Sequence, residues 1–375
     1  MKIAFIGQKG IPMTYGGVEK HVERLSVELV KRGHEVFVYT RPWYTPVDLV
    51  EFKGVKLISL PSWNRKNFDA ITHAWRSTFD AMRRRFDIIH YHGVGPALLC
   101  WLPRLFAKRS RVLVTLHGLD RQHQKWSLFA KMMLWLGEWM ANTFAHETIV
   151  VSKSLQLYCF HKYHNQTIYI PNGVDVHKKE LVSDFIEEKW NLKPQKYFLF
   201  MSRLVKHKGA HYLIEAFNRL KTDFKLVIVG ESAFTDEYVA KLKASAKNNH
   251  KIIFTGNVAG ETQTWKELFS HASLFIQPSE SEGFPIAVLD AMSFATPVLV
   301  SDIDANLEIL GGGHGFSFEN KSIRDLNDKM HYLINRPEMA MRVGQKAQEY
   351  VQENFSWTSV VSSTEKVYQT LLEKK

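Results

Sequence analysis

MKIAFIGQKGIPMTYGGVEKHVERLSVELVKRGHEVFVYT, residues 1–40, decides the fold. KIAFIG (2–7) is a short apolar run, VEKHVERLSVELVKRGH repeats apolar positions at helical spacing, and EVFVYT (35–40) is a second β-rich run. Strand, helix and strand in that order make a β-α-β unit, whose strands pair in parallel. The alternation continues through VKLISL (55–60), DIIHYH (87–92), RVLVTLH (111–117) and ETIVVS (147–152). Around IPNGVDVHKKELVSDF (170–185) it breaks at Pro171, Asn172 and Gly173, and a polar run begins that reads as a linker. It restarts with KYFLFMSRL, KLVIVG (225–230), KIIFTG (251–256), SLFIQPS (273–279) and PVLVSD (297–302), separated by helical stretches such as HYLIEAFNRL and TWKELFSHA. The expected fold is α/β: two doubly wound Rossmann-like domains, 1–178 and 179–355, facing across a cleft at the carboxyl ends of their strands, where such sheets bind ligands.

With 375 residues, 45% hydrophobic and 23% charged, the chain has enough apolar material for two cores. Cys100 and Cys159 sit in LLCWL and LYCFH without a partner at metal spacing, so they read as core thiols in a reducing compartment. The N-terminus lacks the pattern of a signal peptide, and no apolar run reaches about 18 residues, so a cytoplasmic protein is expected. Net charge is +11 and unevenly placed. Through Glu180 there are 26 Lys+Arg against 14 Asp+Glu, and beyond it 23 against 24. The excess clusters at Arg83-Arg84-Arg85, in WLPRLFAKRSR (101–111) and in KWSLFAKMMLWLGEWM (125–140), where aromatic and aliphatic residues alternate with Lys and Arg. That mixture suits the anionic cytoplasmic face of a membrane. No nucleic-acid-binding signature accompanies it, so nucleic acid is not an expected partner.

Three stretches carry chemistry. GQKGIPMTYGGVEKH follows the first strand; it is not a G-x-G-x-x-G dinucleotide fingerprint, but Gly16 and Gly17 allow close backbone approach to a phosphate or sugar hydroxyl at a helix N-terminus. SRLVKHKG (202–209) follows a strand of the second half and puts Arg203 and Lys208 where they can clamp a diphosphate and neutralise a leaving group. SESEGFPIAVLDAM (279–292) has Gly283 and Pro285 opening a helix, Glu282 on the loop at its mouth and Asp290 inside an otherwise apolar turn, where a carboxylate needs a hydrogen-bonding partner. Carboxylates around a helix N-terminus can hold sugar hydroxyls while the helix amides face phosphate. SDID (301–304) imitates a D-x-D metal motif, but basic residues can neutralise the leaving group, and no metal or other cofactor is expected.

SESEGFPIAVLDAM resembles the E-x7-E element of retaining glycosyltransferases of family 4, with Glu282 as the first carboxylate and Asp290 where the second Glu usually stands. SRLVKHKG resembles that family's diphosphate clamp, and TLHGLD (115–120) and IPNGVD (170–175) match further motifs of it. The front half is similar to a bacterial N-terminal domain often labelled rhamnosyltransferase. FSW (355–357) and the helical stretch after it resemble the segment that returns to the first domain in the GT-B fold, so 356–375 is expected to pack there. The resemblance implies catalytic roles for His117, Glu282, Arg203 and Lys208. It implies donor binding by Gly17, Asn172, Arg203, Lys208, Gly230, Glu282, Gly283, Phe284, Pro285 and Asp290, and acceptor binding by Tyr15, Gly16 and Asp120. Asp290 is about 1.3–1.5 Å shorter than the usual Glu, which suits either a shifted helix or a nucleotide without a 2′-hydroxyl.

The implied activity is a retaining, metal-independent transfer of a hexose-type sugar from a nucleotide diphosphate sugar, UDP favoured over dTDP or GDP, to a lipid-linked saccharide in building a surface polysaccharide such as lipopolysaccharide or capsule. A two-domain sugar-nucleotide epimerase shares the architecture, but the basic-aromatic front half fits it poorly. A non-catalytic sugar-nucleotide-binding protein has no support, because His117, Glu282, Arg203 and Lys208 are all present.

Overall fold

A computed structural model describes residues 1–14, 16–63, 68–119, 127–177, 185–233 and 235–374. Fourteen strands fall into two sheets among these residues. The first has β1 (Lys2–Ile6), β2 (Glu35–Thr40), β3 (Glu51–Phe52), β4 (Val55–Ser59), β5 (Ile88–His92), β6 (Arg111–Leu116), β7 (Glu147–Val150) and β8 (Ile168–Tyr169). Their spatial order is β3-β4-β2-β1-β5-β6-β7-β8, parallel except for the β3–β4 pair. The second has β9 (Tyr197–Met201), β10 (Lys225–Val229), β11 (Ile252–Gly256), β12 (Leu274–Gln277), β13 (Val298–Ser301) and β14 (Phe316–Phe318), in the order β11-β10-β9-β12-β13-β14. All its pairs are parallel. Both faces of such sheets are covered, so the central strands are apolar throughout: Ile3, Ala4, Phe5 and Ile6 are each fully buried.

In each sheet the strand order reverses once, between β1 and β5 in the first and between β9 and β12 in the second. At such a point neighbouring loops diverge beyond the carboxyl ends of the strands and leave room for a ligand. The chain divides into two units, Met1–Gly173 with Trp357–Lys375, and Val174–Ser356. Sequence alone put the first boundary at 178/179 and the second at 355/356; they fall at 173/174 and 356/357. The first moves because Gly173 packs against the Trp357 indole, where an added Cβ would lie 2.6 Å from a ring carbon, while Val174 pairs with Ser356. The helix Trp357–Glu373 is therefore part of the first unit, contributing Trp357, Val360, Val361, Tyr368 and Leu371 to its core. Arg32 and His34 bind its Glu365 at 2.8 and 2.7 Å.

Cys100 and Cys159 are buried and free. No helix of the described residues is long and apolar enough to cross a membrane. The helix Leu128–Phe144 is unusual in turning apolar residues outward: Leu128, Phe129, Met132, Trp135 and Trp139, at spacings of three and four, are exposed along one face. Its other face is tightly fixed. Gly137 approaches the Val94 carbonyl so closely that a Cβ would come within 2.3 Å, and buried Glu138 accepts from the hydroxyls of Tyr158 (2.8 Å) and Tyr163 (2.9 Å). Leu105 and Phe106, at the end of the helix Trp101–Phe106, are also exposed.

Candidate active site

In the second unit, the loop after β9 and the loop after β12 leave adjacent strands. The first runs through Arg203 into a 3-10 turn, Lys206–Lys208, and then into the helix Ala210–Arg219. Gly209, at φ 74° and so near Pro278 that a Cβ would come within 1.8 Å of its carbonyl, lets the two loops touch. Backbone joins them as well, Glu280 N donating to His207 O at 2.8 Å. Across this contact Lys208 Nζ donates to both oxygens of Glu282, at 2.5 and 2.7 Å. Ser279 Oγ (2.7 Å) and Gln277 Nε2 (3.1 Å) donate to Glu282 Oε1. The side chains of Lys208 and Glu282 are only 14% and 8% exposed, so the pair is poorly screened and its positions are well defined. Glu280 is turned aside: it accepts from Tyr212 OH at 3.0 Å and faces Lys321 at 3.5 Å.

Pro285 is the N-cap of the helix Ile286–Ser293, one residue before the first helical position. Gly283, Phe284 and Pro285 are buried, Phe284 against the Phe355 ring at 5.4 Å. Asp290 is 5% exposed inside that helix. Arg203 is exposed on its loop, so the structure brings Lys208, but not Arg203, onto Glu282. Gly230, directly after β10, has φ 139°, and a Cβ there would meet the Ser202 carbonyl at 2.0 Å. Gly230→Ala is expected to destabilise the second unit by about 2 kcal/mol or more, from strain and clash together; an unaltered urea unfolding midpoint would contradict this.

In the first unit, the helix Gly17–Lys31 starts just beyond β1, with Gly16 as its N-cap at φ 111°. A side chain at Gly16 would collide with Glu19 Oε2, at 2.0 Å. His21, one turn into that helix, meets His92 at the end of β5 and His117 just beyond β6. His92 Nδ1 and His117 Nε2 are 3.1 Å apart, and His21 Nδ1 lies 2.9 Å from Asn172 Oδ1. Behind them His90, on the same face of β5 as His92, bonds Tyr368 OH and Thr115 Oγ1, both at 2.7 Å. Burial, offset in part by the Asn172 hydrogen bond, pushes His21 down to about 4. Burial and the nearby His21 push His90 to about 3. His92 and His117 are held well below the usual imidazole value, first by burial and then by the neighbouring imidazoles. Two of the expected acceptor residues, Tyr15 and Asp120, lie outside the described residues.

Sequence reading missed His21, His90, His92, Gln277 and Ser279. The histidines left a trace in DIIHYH, where alternate positions of one strand share a face. Ser279 and Gln277 left none, because a hydroxyl or amide aimed at a carboxylate is visible only once the loop is folded.

The second unit thus carries an ion-paired carboxylate at its sheet's switch point, and the first unit a histidine cluster at its own. A family model described as "Glycosyltransferase Family 4" matches residues 15–178, and one described as "Glycosyl transferases group 1" matches residues 182–350. An uncharacterized glycosyltransferase of Methanocaldococcus jannaschii is 28% identical over 100% of this chain and 99% of its own. The O-antigen chain mannosyltransferase C of Escherichia coli is 23% identical, with both chains covered completely. Among solved structures, sucrose-phosphate synthase from Thermosynechococcus elongatus superimposes with a TM-score of 0.85 at 21% identity, covering 100% of this chain and 99% of that one. Anabaena HepE in complex with UDP and glucose gives 0.82 at 20% identity, covering 99% and 100%. The chain is a glycosyltransferase of the family 4 type and has the GT-B fold. The comparisons do not extend to the rhamnosyl label of the front half.

Proposed function

We propose that this glycosyltransferase moves a hexose-type sugar from a nucleoside diphosphate, UDP before dTDP or GDP, to a lipid-linked saccharide, with retention at the anomeric carbon and without a metal in the transfer step. The observation that carries the donor assignment is the largely buried Lys208–Glu282 pair at the β9–β12 switch point. Lys208 is the ammonium for a diphosphate oxygen, with Arg203 as the second cation. Glu282, held by Ser279 and Gln277, is the acceptor for donor-sugar hydroxyls. Asp290 is assigned to the ribose, and Gly230, Gly283, Phe284 and Pro285 to the walls of the nucleotide site. In the first unit, Asn172 and the amide of Gly17 are assigned to the donor, Gly16, Tyr15 and Asp120 to the acceptor, and neutral His117 to a hydroxyl of the reacting sugar.

In the reaction the acceptor hydroxyl oxygen bonds to the anomeric carbon as the bond from that carbon to the phosphate oxygen breaks. The hydroxyl proton passes to the departing diphosphate on the same face, and Lys208 and Arg203 carry the charge that develops there. No side-chain nucleophile enters. A related solved structure contains UDP and another UDP-glucose, and relatives are named for an O-antigen chain and a capsular polysaccharide; these support a UDP-sugar donor and a polysaccharide product. Thermal unfolding with saturating UDP, dTDP, GDP and ADP in turn tests the donor site, since a ligand at about a hundred times its Kd adds about 2.7 kcal/mol of stability. UDP is expected to raise the midpoint most; no shift with any of the four would defeat the donor assignment.

The lipid-linked acceptor rests on the outward apolar face of Leu128–Phe144 and on the surrounding charge. Between Gly93 and Gly137 there are Arg104, Lys108, Arg109, Arg111, Arg121, Lys125 and Lys131 against Asp120 alone. A helix that presents Trp, Phe, Leu and Met among cations lies in the headgroup region of an anionic bilayer. Co-sedimentation with vesicles containing anionic lipid is expected at low salt, weakening as salt rises. Trp135→Ser with Trp139→Ser should reduce it, and failure of the wild-type chain to bind would remove the membrane from the proposal.

A further inference from the structure

We propose that His21, His92 and His117 form a binding site for a divalent first-row transition-metal ion of the zinc type, with its fourth position open. One ligand nitrogen from each ring lies within 4.8 Å of the other two. His92 Nδ1 and His117 Nε2, 3.1 Å apart, are close to the separation of about 3.3 Å that two nitrogens have when both bind one tetrahedral ion at about 2.0–2.1 Å. The widest spacing exceeds that ideal by about 1.5 Å, a distance that a small rotation of the imidazoles closes.

Two observations set this group apart from an ordinary set of core histidines. The first is an unusual contact. His92 is 1% exposed, and its Nδ1 is turned to another imidazole nitrogen, His117 Nε2, rather than to a carbonyl, hydroxyl or carboxylate. The second is a supporting shell. Asn172 Oδ1 accepts from His21 Nδ1, which leaves the His21 lone pair on Nε2, as a metal-binding histidine requires. His90 is excluded as a ligand because both its nitrogens are taken by Tyr368 and Thr115. Phe5 edges onto His92, at 5.2 Å between ring centres, and Trp357 onto His21, at 5.6 Å, so aromatic rings as well as His90 flank the site. His117, alone of the three, is partly exposed, and the open position lies on its side.

Three imidazoles without a carboxylate select Zn2+, Co2+, Ni2+ or Cu2+ over Mg2+ and Ca2+. When the ion enters, the proton shared in the His92–His117 contact stays on whichever ring donates it and moves to that ring's other nitrogen. All three ligands are neutral before and after, so binding releases no proton. The consequence for activity rests on the proposed function: an ion on His117 withdraws it from the sugar, so the metal inhibits transfer and a chelator relieves the inhibition. The site itself does not rest on that reading.

The test is a Co2+ titration of the full chain after treatment with a chelator, followed by visible absorption and equilibrium dialysis. One ion per chain is expected, with the strong ligand-field bands of four-coordinate Co2+, displaced by Zn2+, and with a binding enthalpy independent of the buffer's protonation enthalpy. His21→Ala and His92→Gln should each weaken binding by about ten-fold or more, whereas His161→Ala, a surface change, should not. Circular dichroism establishes which variants are folded, and if one fails to fold the other decides. No saturable binding at millimolar Co2+, or equal binding by a folded His21 or His92 variant, overturns the site. Binding without any effect of Zn2+ on transfer leaves the site standing and overturns only the inhibitory consequence.

Discussion

Lys208→Ala is expected to lower kcat by about 10²–10³-fold, measured with the nucleotide sugar that thermal unfolding selects. The expectation follows from what the pair does before and during reaction. Lys208 rests on Glu282 with both side chains largely withdrawn from water, so its ammonium is positioned at the switch point without needing a ligand to place it. In the proposed transfer this positioned charge meets the charge that develops on the leaving diphosphate oxygen, and an interaction that strengthens in the transition state appears in kcat. Lys208→Ala also strips Glu282 of its ionic partner, leaving it Ser279 and Gln277 as neutral donors. Breaking a buried pair by removing one member costs about 3–5 kcal/mol; partial exposure of Lys208 places the expected loss of stability at the lower end. Lys208→Arg, which retains the charge, should recover stability better than rate. A kcat for Lys208→Ala equal to that of the wild type would end the assignment of Lys208 to the leaving group.

Acidification from pH 7.5 to 5.5 should loosen the first unit much more than the second. Four imidazoles around the end of β5 have native pKa values far below that of a free histidine, about 4 for His21 and about 3 for His90, with His92 and His117 also strongly lowered. Above pH 6.5 neither the native nor the unfolded chain protonates them, and they contribute no pH dependence. Below that value the unfolded chain takes up protons that the native chain refuses, so stability falls as pH falls, until the native pKa values are reached. At pH 5.5 each contributes a loss of about 1 kcal/mol, and the four together several. Hydrogen exchange on peptides spanning β5 and β6, corrected for the intrinsic pH dependence of exchange, should show lost protection relative to β9 and β12. Equal protection at the two pH values would mean that the imidazoles have partners able to hold their protons.

The sequence revealed what depends on local pattern. EVFVYT was read as a strand over residues 35–40, and β2 occupies Glu35–Thr40; the central strands carry continuous apolar runs that nothing else explains. The strands that escaped notice, Glu51–Phe52, Ile168–Tyr169 and Phe316–Phe318, are two or three residues long and exist because a neighbour supplies hydrogen bonds: Ile168 and Tyr169 pair with Ile149 and Val150. The carboxylate side of the site was also legible, because Gly283 and Pro285 announce a helix start with Glu282 at its mouth. Its partners were only half legible. The basic loop could be seen, but that Lys208 rather than Arg203 meets Glu282 depends on Gly209 bringing two loops together across adjacent strands. The domain boundary was misplaced by composition, since the polar run after Gly173 looks like a linker while the packing ends earlier, against Trp357.

The first unit is discontinuous, and this has a consequence for its biosynthesis. Its sheet is complete by Tyr169, yet Val360, Val361, Tyr368 and Leu371 of its core are translated only after the whole of Val174–Ser356. Domains generally fold as they emerge, N-terminal first. This one must wait, with the hydroxyl that binds His90 and the carboxylate that binds Arg32 and His34 still missing, while the second unit has all its residues in hand. The later-made half is thus the one able to finish first, and a ribosome halted before Trp357 would display an unclosed apolar surface to the chaperones around it.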